Sequence, residues 1–148
     1  MRLPRQISGN PDRELPSSSP RAAWGTTSED LLDSFWCAGQ GLVYSFISQR
    51  NFRIHILVTF LVFTIGLWLH LNNISLAVLV LTVTVVLALE LLNTAIEAVV
   101  DLAVGRRFHP LAKIAKDCAA AAVLIAASSS IAVALLLLLP PLLIHIGL

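Results

Sequence analysis

The chain alternates long apolar runs with short polar connections, and the spacing inside the runs is helical. In the first periodic segment, apolar residues recur every three or four positions between polar ones: Leu31, Phe35, Leu42 and Phe46. This pattern predicts an amphipathic helix over residues 28–50. Such a helix can lie along a membrane surface or pack against a helical bundle, and the periodicity leaves both options open.

Three longer apolar segments follow, and they predict membrane-spanning helices over residues 54–71, 74–104 and 111–139. A span needs about 20 apolar residues to cross a hydrocarbon core about 30 Å thick. The last segment is uncharged from Ala119 to Leu139 and is predicted to stop at the Pro140-Pro141 pair. We therefore predict an all-α membrane protein with three transmembrane helices plus an N-terminal amphipathic surface helix, forming one membrane domain over residues 28–148.

Composition agrees with this class of protein. Hydrophobic residues make up 57% of the chain and charged residues 13%, whereas a soluble domain carries about 25% charged residues.

Residues 1–27 are rich in Pro, Ser and Arg and have no apolar core, so they are predicted to be a disordered tail. Cys37 and Cys118 match no metal-binding spacing, and each is interpreted as a small buried or interfacial residue rather than a ligand or half of a disulfide. No basic block suggests a nucleic-acid partner.

Basic residues predict the orientation in the membrane. Arg50 and Arg53 precede the first span, while the Asn72-Asn73 connection carries no Lys or Arg. The connection into the third span carries Arg106, Arg107, Lys113 and Lys116. Because basic residues concentrate in cytoplasmic segments, we expect a multi-pass protein of the cell membrane with a cytoplasmic N-terminus and an outer C-terminus.

The second apolar run continues into a polar stripe without any helix-breaking residue. The stripe consists of Glu90, Asn93, Thr94, Glu97 and Asp101. At about 100° per residue these side chains lie within an arc of roughly 100°. A helix that enters from the outer side reaches Glu90 after about 24 Å, near the inner edge of the hydrocarbon. A carboxylate at that depth costs a few kcal/mol, so a functional site is favoured over a solvated face or a structural ion pair.

The following connection carries complementary groups on the same side of the membrane. His109, Lys113, Lys116 and Asp117 surround Pro110, which suits the first turn of a helix. Carboxylates that can hold Mg²⁺ beside cations that can hold phosphate are typical of phosphoryl transfer. The alternative is a non-enzymatic membrane protein or transporter subunit that uses the stripe as an ion relay. A relay needs polar residues in the other spans, and these offer Thr59, Thr64 and residues 128–130.

Two stretches together resemble one known family. Residues 90–101 read ELLNTAIEAVVD and residues 109–123 read HPLAKIAKDCAAAAV. They closely resemble the prokaryotic diacylglycerol kinase family, which includes undecaprenol kinases, and Gly41-Leu42 and NFRIH at residues 51–55 extend the resemblance. It implies a homotrimeric lipid kinase that uses ATP and Mg²⁺ to phosphorylate a membrane lipid alcohol, with active sites between subunits. Diacylglycerol and undecaprenol both stay open as acceptors, although the HPLAKIAKD form is more similar to the undecaprenol kinase branch.

The resemblance also implies roles for the groups that react and hold metal. Glu90 matches the catalytic base that takes the proton from the lipid hydroxyl, and Glu97 matches a metal ligand at the ATP phosphates. Gln49 stands where the family carries a glutamate as second metal ligand. A glutamine offers a carbonyl oxygen without charge, so Gln49 is predicted to be a weaker metal ligand.

The remaining matched residues are implied to bind the nucleotide. Asn93 and Asp101 match polar residues that line and support the site. Lys116 matches a phosphate contact, and Asp117 a further nucleotide contact. His109 falls in the segment near the adenine. The sequence has no Walker-type glycine loop, so side chains on helices are expected to hold the nucleotide.

Overall fold

A computed structural model describes residues 27–105 and 107–147, with side chains described from Leu31 onward in those ranges. The described residues form four helices: α1 (Thr27–Ser48), α2 (Arg50–Trp68), α3 (Asn73–Val104) and α4 (Pro110–His145). They contain no strand, so the predicted all-α fold is confirmed. The tail predicted to be disordered, residues 1–27, lies outside the described residues apart from Thr27.

The chain divides inside α1 into two compact units, one ending at Trp36 and the other beginning at Cys37. In the first unit the structure describes only the start of α1, on which Leu31 and Phe35 are exposed. The second unit holds the rest of α1 together with α2, α3 and α4. All residues of the predicted site belong to this second unit.

Helices α2, α3 and α4 are long and apolar enough to cross a membrane. The 32 residues of α3 and the 36 residues of α4 correspond to about 48 and 54 Å, well beyond a hydrocarbon core of about 30 Å. Few side chains are buried inside the unit, chiefly Phe52, Leu79, Val86 and Val123. Most large apolar side chains on these helices face outward, as expected where lipid or another subunit covers them.

The boundary between α1 and α2 falls at Gln49. Its backbone is extended, with φ −103° and ψ 116°, although its N–H still donates to the Ser45 carbonyl at 2.9 Å. As a result α2 begins at Arg50, earlier than the predicted span, and ends at Trp68, before residue 71. The prediction took the start of the apolar run as the start of the helix. Arg50 and Arg53 are good helix formers, so the helix extends outside the apolar segment.

The connection from α2 to α3 is tight and capped. His70 adopts a left-handed backbone with φ 54°, and the Asn72 side chain accepts a hydrogen bond from the Ser75 N–H at 2.9 Å. Gly66 of α2 lies close to the side chains of Leu71 and Leu79. A Cβ added there would meet Leu71 Cδ1 at 3.2 Å and Leu79 Cδ1 at 3.6 Å. A Cβ at position 66 would therefore require the Leu71 side chain to shift by a few tenths of an ångström.

The prediction that the last helix stops at Pro140-Pro141 is wrong, because α4 passes through both prolines and ends at His145. Each proline removes one backbone donor but keeps a φ that a helix accepts. The turn after them closes normally, with the Ile146 N–H donating to the Leu142 carbonyl at 3.1 Å. The His145 ring also packs edge-on against Trp68 of α2, with ring centroids 4.7 Å apart. This contact between helices stabilises the final turn.

Candidate active site

The polar stripe of α3 does not face a single space. Glu90, Asn93 and Glu97 line a cleft of about 490 Å³ between α2, α3 and α4. The α2 wall consists of Asn51, Ile54 and His55. The α4 wall is wholly apolar and consists of Ala120, Val123, Leu124 and Ala127. The cleft is therefore polar on two sides and apolar on the third, a shape that suits a molecule with one polar end.

Glu90 is the most deeply placed acid of this cleft and is 2% exposed. Its carboxylate makes no hydrogen bond or ion pair with any residue that the structure describes. Its backbone carbonyl accepts from the Thr94 hydroxyl at 3.0 Å, and its side chain interacts electrostatically with His55 and Glu97. The carboxylate therefore has no described partner and is available to a ligand of the cleft.

Asn93 and Glu97 form a pair of oxygen donors beside Glu90. The Asn93 Nδ2 donates to Glu97 Oε1 at 3.2 Å. Because Nδ2 makes this bond, the Oδ1 atom of the same amide faces away from Glu97. Asn93 Oδ1 is buried without any hydrogen-bond partner in the described part of the chain. A buried carbonyl oxygen without a donor is unusual, because nearly all such atoms are satisfied. This oxygen is therefore available to a ligand of the cleft.

These oxygen atoms fit Mg²⁺, which prefers hard oxygen ligands. No group of three or more His, Cys, Asp or Glu side chains within residues 27–105 and 107–147 could hold a metal by itself. Mg²⁺ is usually bound by one or two carboxylates that share the ion with substrate phosphates and water. The structure thus places Glu97 and the amide oxygen of Asn93 where a shared ion could be held.

The other predicted residues lie in a second cleft, of about 430 Å³, where α3 ends and α4 begins. Its polar lining consists of Asp101, Arg107, His109, Lys113, Lys116 and Asp117, with Phe108 beside them. Four basic side chains face two acids, so the cleft favours an anion. His109 caps α4, since its Nδ1 accepts from the Leu111 N–H at 3.2 Å, and this leaves its other ring nitrogen for a ligand.

Both lysines of this cleft are held in ion pairs. Lys116 Nζ lies 2.5 Å from Asp101 Oδ1 and so ties α4 to α3. Lys113 pairs with Asp117 within α4, also at 2.5 Å, and both side chains are more than 60% exposed. Exposed pairs contribute only about 0–1 kcal/mol. An incoming polyanion can therefore displace the carboxylates from the lysines at little cost.

The structure brings most of the predicted site residues together in these two neighbouring clefts. Glu97 of the first and Asp101 of the second are one helical turn apart on α3, a rise of about 6 Å. Gln49 lines neither cleft; it occupies the position before α2. Thr94, the fifth member of the stripe, is buried and faces elsewhere, towards α1.

Thr94 lines a groove between α1 and α3. Residues of α1 from Ala38 to Ser45 line an apolar groove of about 550 Å³ together with Leu91, Thr94, Ala95 and Ala98 of α3. Ser45 is 2% exposed although it lies on α1. The second half of α1 therefore faces α3 across this groove.

Two residues of the first cleft had no role assigned from the sequence, Asn51 and His55. They are separated by four positions, so they share one face of α2. The available signal was that His55 is the only titratable side chain inside the apolar run until His70. Periodicity shows that such a residue is unusual, but only the packing of α2 against α3 shows that it faces Glu90.

The fold and the two clefts define a class: a small helical membrane protein with an oxygen-rich cleft next to a basic one, the groups used in phosphoryl transfer. The comparison with known families agrees. A profile described as prokaryotic diacylglycerol kinase matches residues 36–138. The chain belongs to this family.

Individual relatives carry the names of two lipid kinases. The diacylglycerol kinase of Synechocystis sp. is 52% identical over 113 residues, which cover 72% of this chain and 64% of the relative. The undecaprenol kinase of Bacillus subtilis is 41% identical over 90 residues, covering 61% and 72%. The diacylglycerol kinase of Escherichia coli is 37% identical over 78 residues, covering 53% and 63%. The chain thus spans a little under two thirds of the Synechocystis relative.

Proposed function

We propose that this protein is a lipid kinase that transfers the γ-phosphoryl group of ATP to the hydroxyl of a membrane lipid alcohol, either diacylglycerol or undecaprenol. The observation that carries the proposal is Glu90, a buried residue whose carboxylate lines a cleft without a described hydrogen-bond partner, next to a second cleft that is basic. Family membership and the names of the relatives support it. Both acceptors present a primary hydroxyl on an apolar body, and the residues of the cleft act on the hydroxyl.

The proposed reaction begins when the lipid hydroxyl reaches Glu90. The carboxylate accepts the hydroxyl proton while the hydroxyl oxygen forms a bond to the γ-phosphorus. The bond between that phosphorus and the bridging oxygen of ADP breaks, and ADP leaves with the electron pair. The apolar α4 wall excludes water, which would otherwise compete with the lipid as acceptor. Holding donor and acceptor together supplies much of the rate enhancement in such reactions.

Glu97, the amide oxygen of Asn93 and, as the weaker ligand, Gln49 are the groups proposed to hold Mg²⁺. When bound, the ion would neutralise charge on the phosphate oxygens. Lys116 is proposed to contact phosphate after exchanging Asp101 for it. Asp117 and His109 are proposed to contact the rest of the nucleotide. The two clefts lie close together along α3, which supports the assignment of the metal ion to one cleft and of the nucleotide to the other.

The proposed setting is the cytoplasmic face of the cell membrane, with the N-terminus inside and the C-terminus outside. Arg50, Arg53 and the basic residues around the second cleft support this orientation through the positive-inside bias. We also propose a homotrimer. Large apolar side chains exposed on α2 and α4, among them Phe60 and Leu136, are available for lipid or subunit contacts.

An ion relay is the competing function, and the packing does not favour it. The hydroxyls of Thr59, Thr64 and Ser130 each donate to a backbone carbonyl of their own helix, at 2.7, 2.8 and 2.7 Å. The α4 wall of the Glu90 cleft is apolar. A relay would need polar groups that face the stripe from several helices.

Phosphoryl transfer can be tested directly on purified protein in lipid vesicles. Radiolabelled ATP is supplied with Mg²⁺ and with either diacylglycerol or undecaprenol. We expect label in the extracted lipid with at least one acceptor, and no transfer when the ion is chelated. Absence of labelled lipid with both acceptors would overturn the proposed function.

Gln49→Glu is expected to lower the Mg²⁺ concentration that gives half-maximal activity, because a charged ligand binds the ion more strongly than a neutral carbonyl. The measurement is a Mg²⁺ titration of lipid phosphorylation. Gln40→Glu is the matched control, since it adds the same charge at an exposed position of α1 to which no metal contact is assigned. An unchanged titration in Gln49→Glu would remove Gln49 from the metal site.

Lys116→Gln is expected to raise the KM for ATP by about tenfold or more, since a charge-assisted hydrogen bond contributes about 1.5–3 kcal/mol. Lys113→Gln serves as the comparison because it removes the same charge from the same cleft. We expect Lys113→Gln to raise the KM for ATP by less than Lys116→Gln does. Lys113 and its partner Asp117 lie on the same helix, and both side chains are exposed. An equal KM for ATP in Lys116→Gln and the parent protein would contradict the phosphate contact.

A further inference from the structure

The α4 wall of the Glu90 cleft differs in chemistry from the other two walls. The described polar side chains that line the cleft all belong to α2 and α3, and they are Asn51, His55, Glu90, Asn93 and Glu97. The described lining residues of α4 are Ala120, Val123, Leu124 and Ala127. A molecule in the cleft therefore meets hydrogen-bonding groups on two sides and only carbon on the third.

Val123 is the central residue of the α4 wall. Among the described residues of α4 it alone is buried, with 8% of its surface exposed. Leu124 is 67% exposed and faces mainly outward. Ala120 and Ala127 lie about one helical turn before and after Val123, and each contributes a single methyl group. Val123 is thus the largest side chain that α4 buries beside the cleft.

Two kinds of hydroxyl compete as phosphoryl acceptors in such a cleft, that of the lipid and that of water. A buried water typically makes about two to four hydrogen bonds. A water beside Val123 finds no side-chain donor or acceptor on the α4 wall. The carbon chain that carries the lipid hydroxyl gains free energy by contact with an apolar side chain. The α4 wall therefore favours a hydroxyl on a carbon chain over a water molecule.

We propose that Val123 is a specificity-determining residue, which directs phosphoryl transfer to the lipid hydroxyl and away from water. The inference rests on the proposed lipid kinase function. In the competing reaction a water oxygen forms the bond to the γ-phosphorus and Glu90 accepts a water proton. ADP leaves with the electron pair of the broken bond, and the product is inorganic phosphate. Val123 is assigned no contact with the nucleotide or the metal.

The test uses Val123→Thr, which replaces one methyl group by a hydroxyl. Labelled phosphate in the lipid and labelled inorganic phosphate are measured together, in vesicles that contain the acceptor used by the parent protein. The ratio of ATP hydrolysis to lipid phosphorylation is expected to rise about three- to tenfold, the range that one added hydrogen bond provides. The KM for ATP should stay within about twofold of the parent value, since Val123 does not bind the nucleotide.

Three further variants separate polarity from packing. Val123→Ile changes the shape of the wall but keeps it apolar, and it should retain the parent ratio. Val133→Thr makes the same change at a half-buried position of α4 that does not line the cleft, and it should also retain the parent ratio. Ala127→Ser adds a hydroxyl to the same wall with a smaller change in volume. It should raise the ratio even if Val123→Thr does not fold.

A double mutant locates the added hydrolysis. Glu90→Gln in the Val123→Thr background should abolish it, because the water uses the same base as the lipid. An unchanged ratio in both Val123→Thr and Ala127→Ser, an equal rise in Val133→Thr, or hydrolysis that survives Glu90→Gln would overturn the inference. A parent protein that phosphorylates neither lipid would overturn the proposed function together with it. An active parent with unchanged ratios in the wall variants would overturn the inference alone.

Discussion

Glu90→Gln is expected to lower kcat for lipid phosphorylation by about 10²- to 10⁴-fold, the range that general base catalysis supplies. The amide keeps the size of the side chain but cannot accept the hydroxyl proton. Burial should not be disturbed, because the Glu90 carboxylate makes no bond inside the described protein. We expect the variant to fold and to bind ATP with a similar KM. The measurement is initial-rate kinetics with labelled ATP and the acceptor that the parent protein uses.

Asp33→Asn is the matched control, because it removes one carboxylate from the exposed surface of α1. It should retain the kcat of the parent protein. Robust lipid phosphorylation by Glu90→Gln would eliminate Glu90 as the base.

Glu97→Gln has the second largest expected effect, and it should alter the metal requirement. The change removes a negative charge from the oxygen pair that Glu97 forms with Asn93. The glutamine carbonyl can still accept from Asn93 Nδ2, so the local structure should persist. We expect the Mg²⁺ concentration for half-maximal activity to rise at least about tenfold, since Mg²⁺ is held by only one or two carboxylates in such sites. A Mg²⁺ titration of the kinase reaction measures it.

A second readout of Glu97→Gln is independent of turnover. Binding of Mn²⁺ in the presence of a non-hydrolysable ATP analogue can be followed by electron paramagnetic resonance. The variant should bind the ion more weakly, whereas Glu90→Gln should bind it nearly as well as the parent protein. Equal Mn²⁺ affinity in Glu97→Gln and the parent would exclude Glu97 as a ligand. The two carboxylates thus have separable signatures, one in kcat and the other in the metal dependence.

Helix α3 shows how far local signals reach. Its predicted range, residues 74–104, differs from the observed Asn73–Val104 by one residue. Asn72 caps its start through a bond to Ser75, and Gly105 follows its end with a left-handed φ of 59°. Each of these two residues lies directly beside the end of the helix that it marks. They can therefore be recognised without knowledge of the rest of the fold.

The ends of α2 and α4 depended on more than local signals. Helix α2 begins at Arg50, earlier than the start of the apolar run predicts. Helix α4 contains Pro140 and Pro141 in its interior. Proline predicts a helix end because it lacks a donor. Here the contact between Trp68 and His145 holds the last turn in place. That contact joins residues far apart in the chain, and no local rule contains it.

Glu90 was already recognisable as a candidate site residue in the amino-acid sequence. A helical period of about 3.6 residues places Glu90, Asn93 and Glu97 on one face of the helix. The apolar residues that flank Glu90 make a carboxylate at this position costly in free energy. The sequence could not show that Thr94 and Asp101 leave this cleft, or that Asn51 and His55 enter it. Those facts depend on which faces of α2 and α4 meet α3. Periodicity determines the face of a helix that a residue occupies, whereas only the packing of helices determines what that face meets.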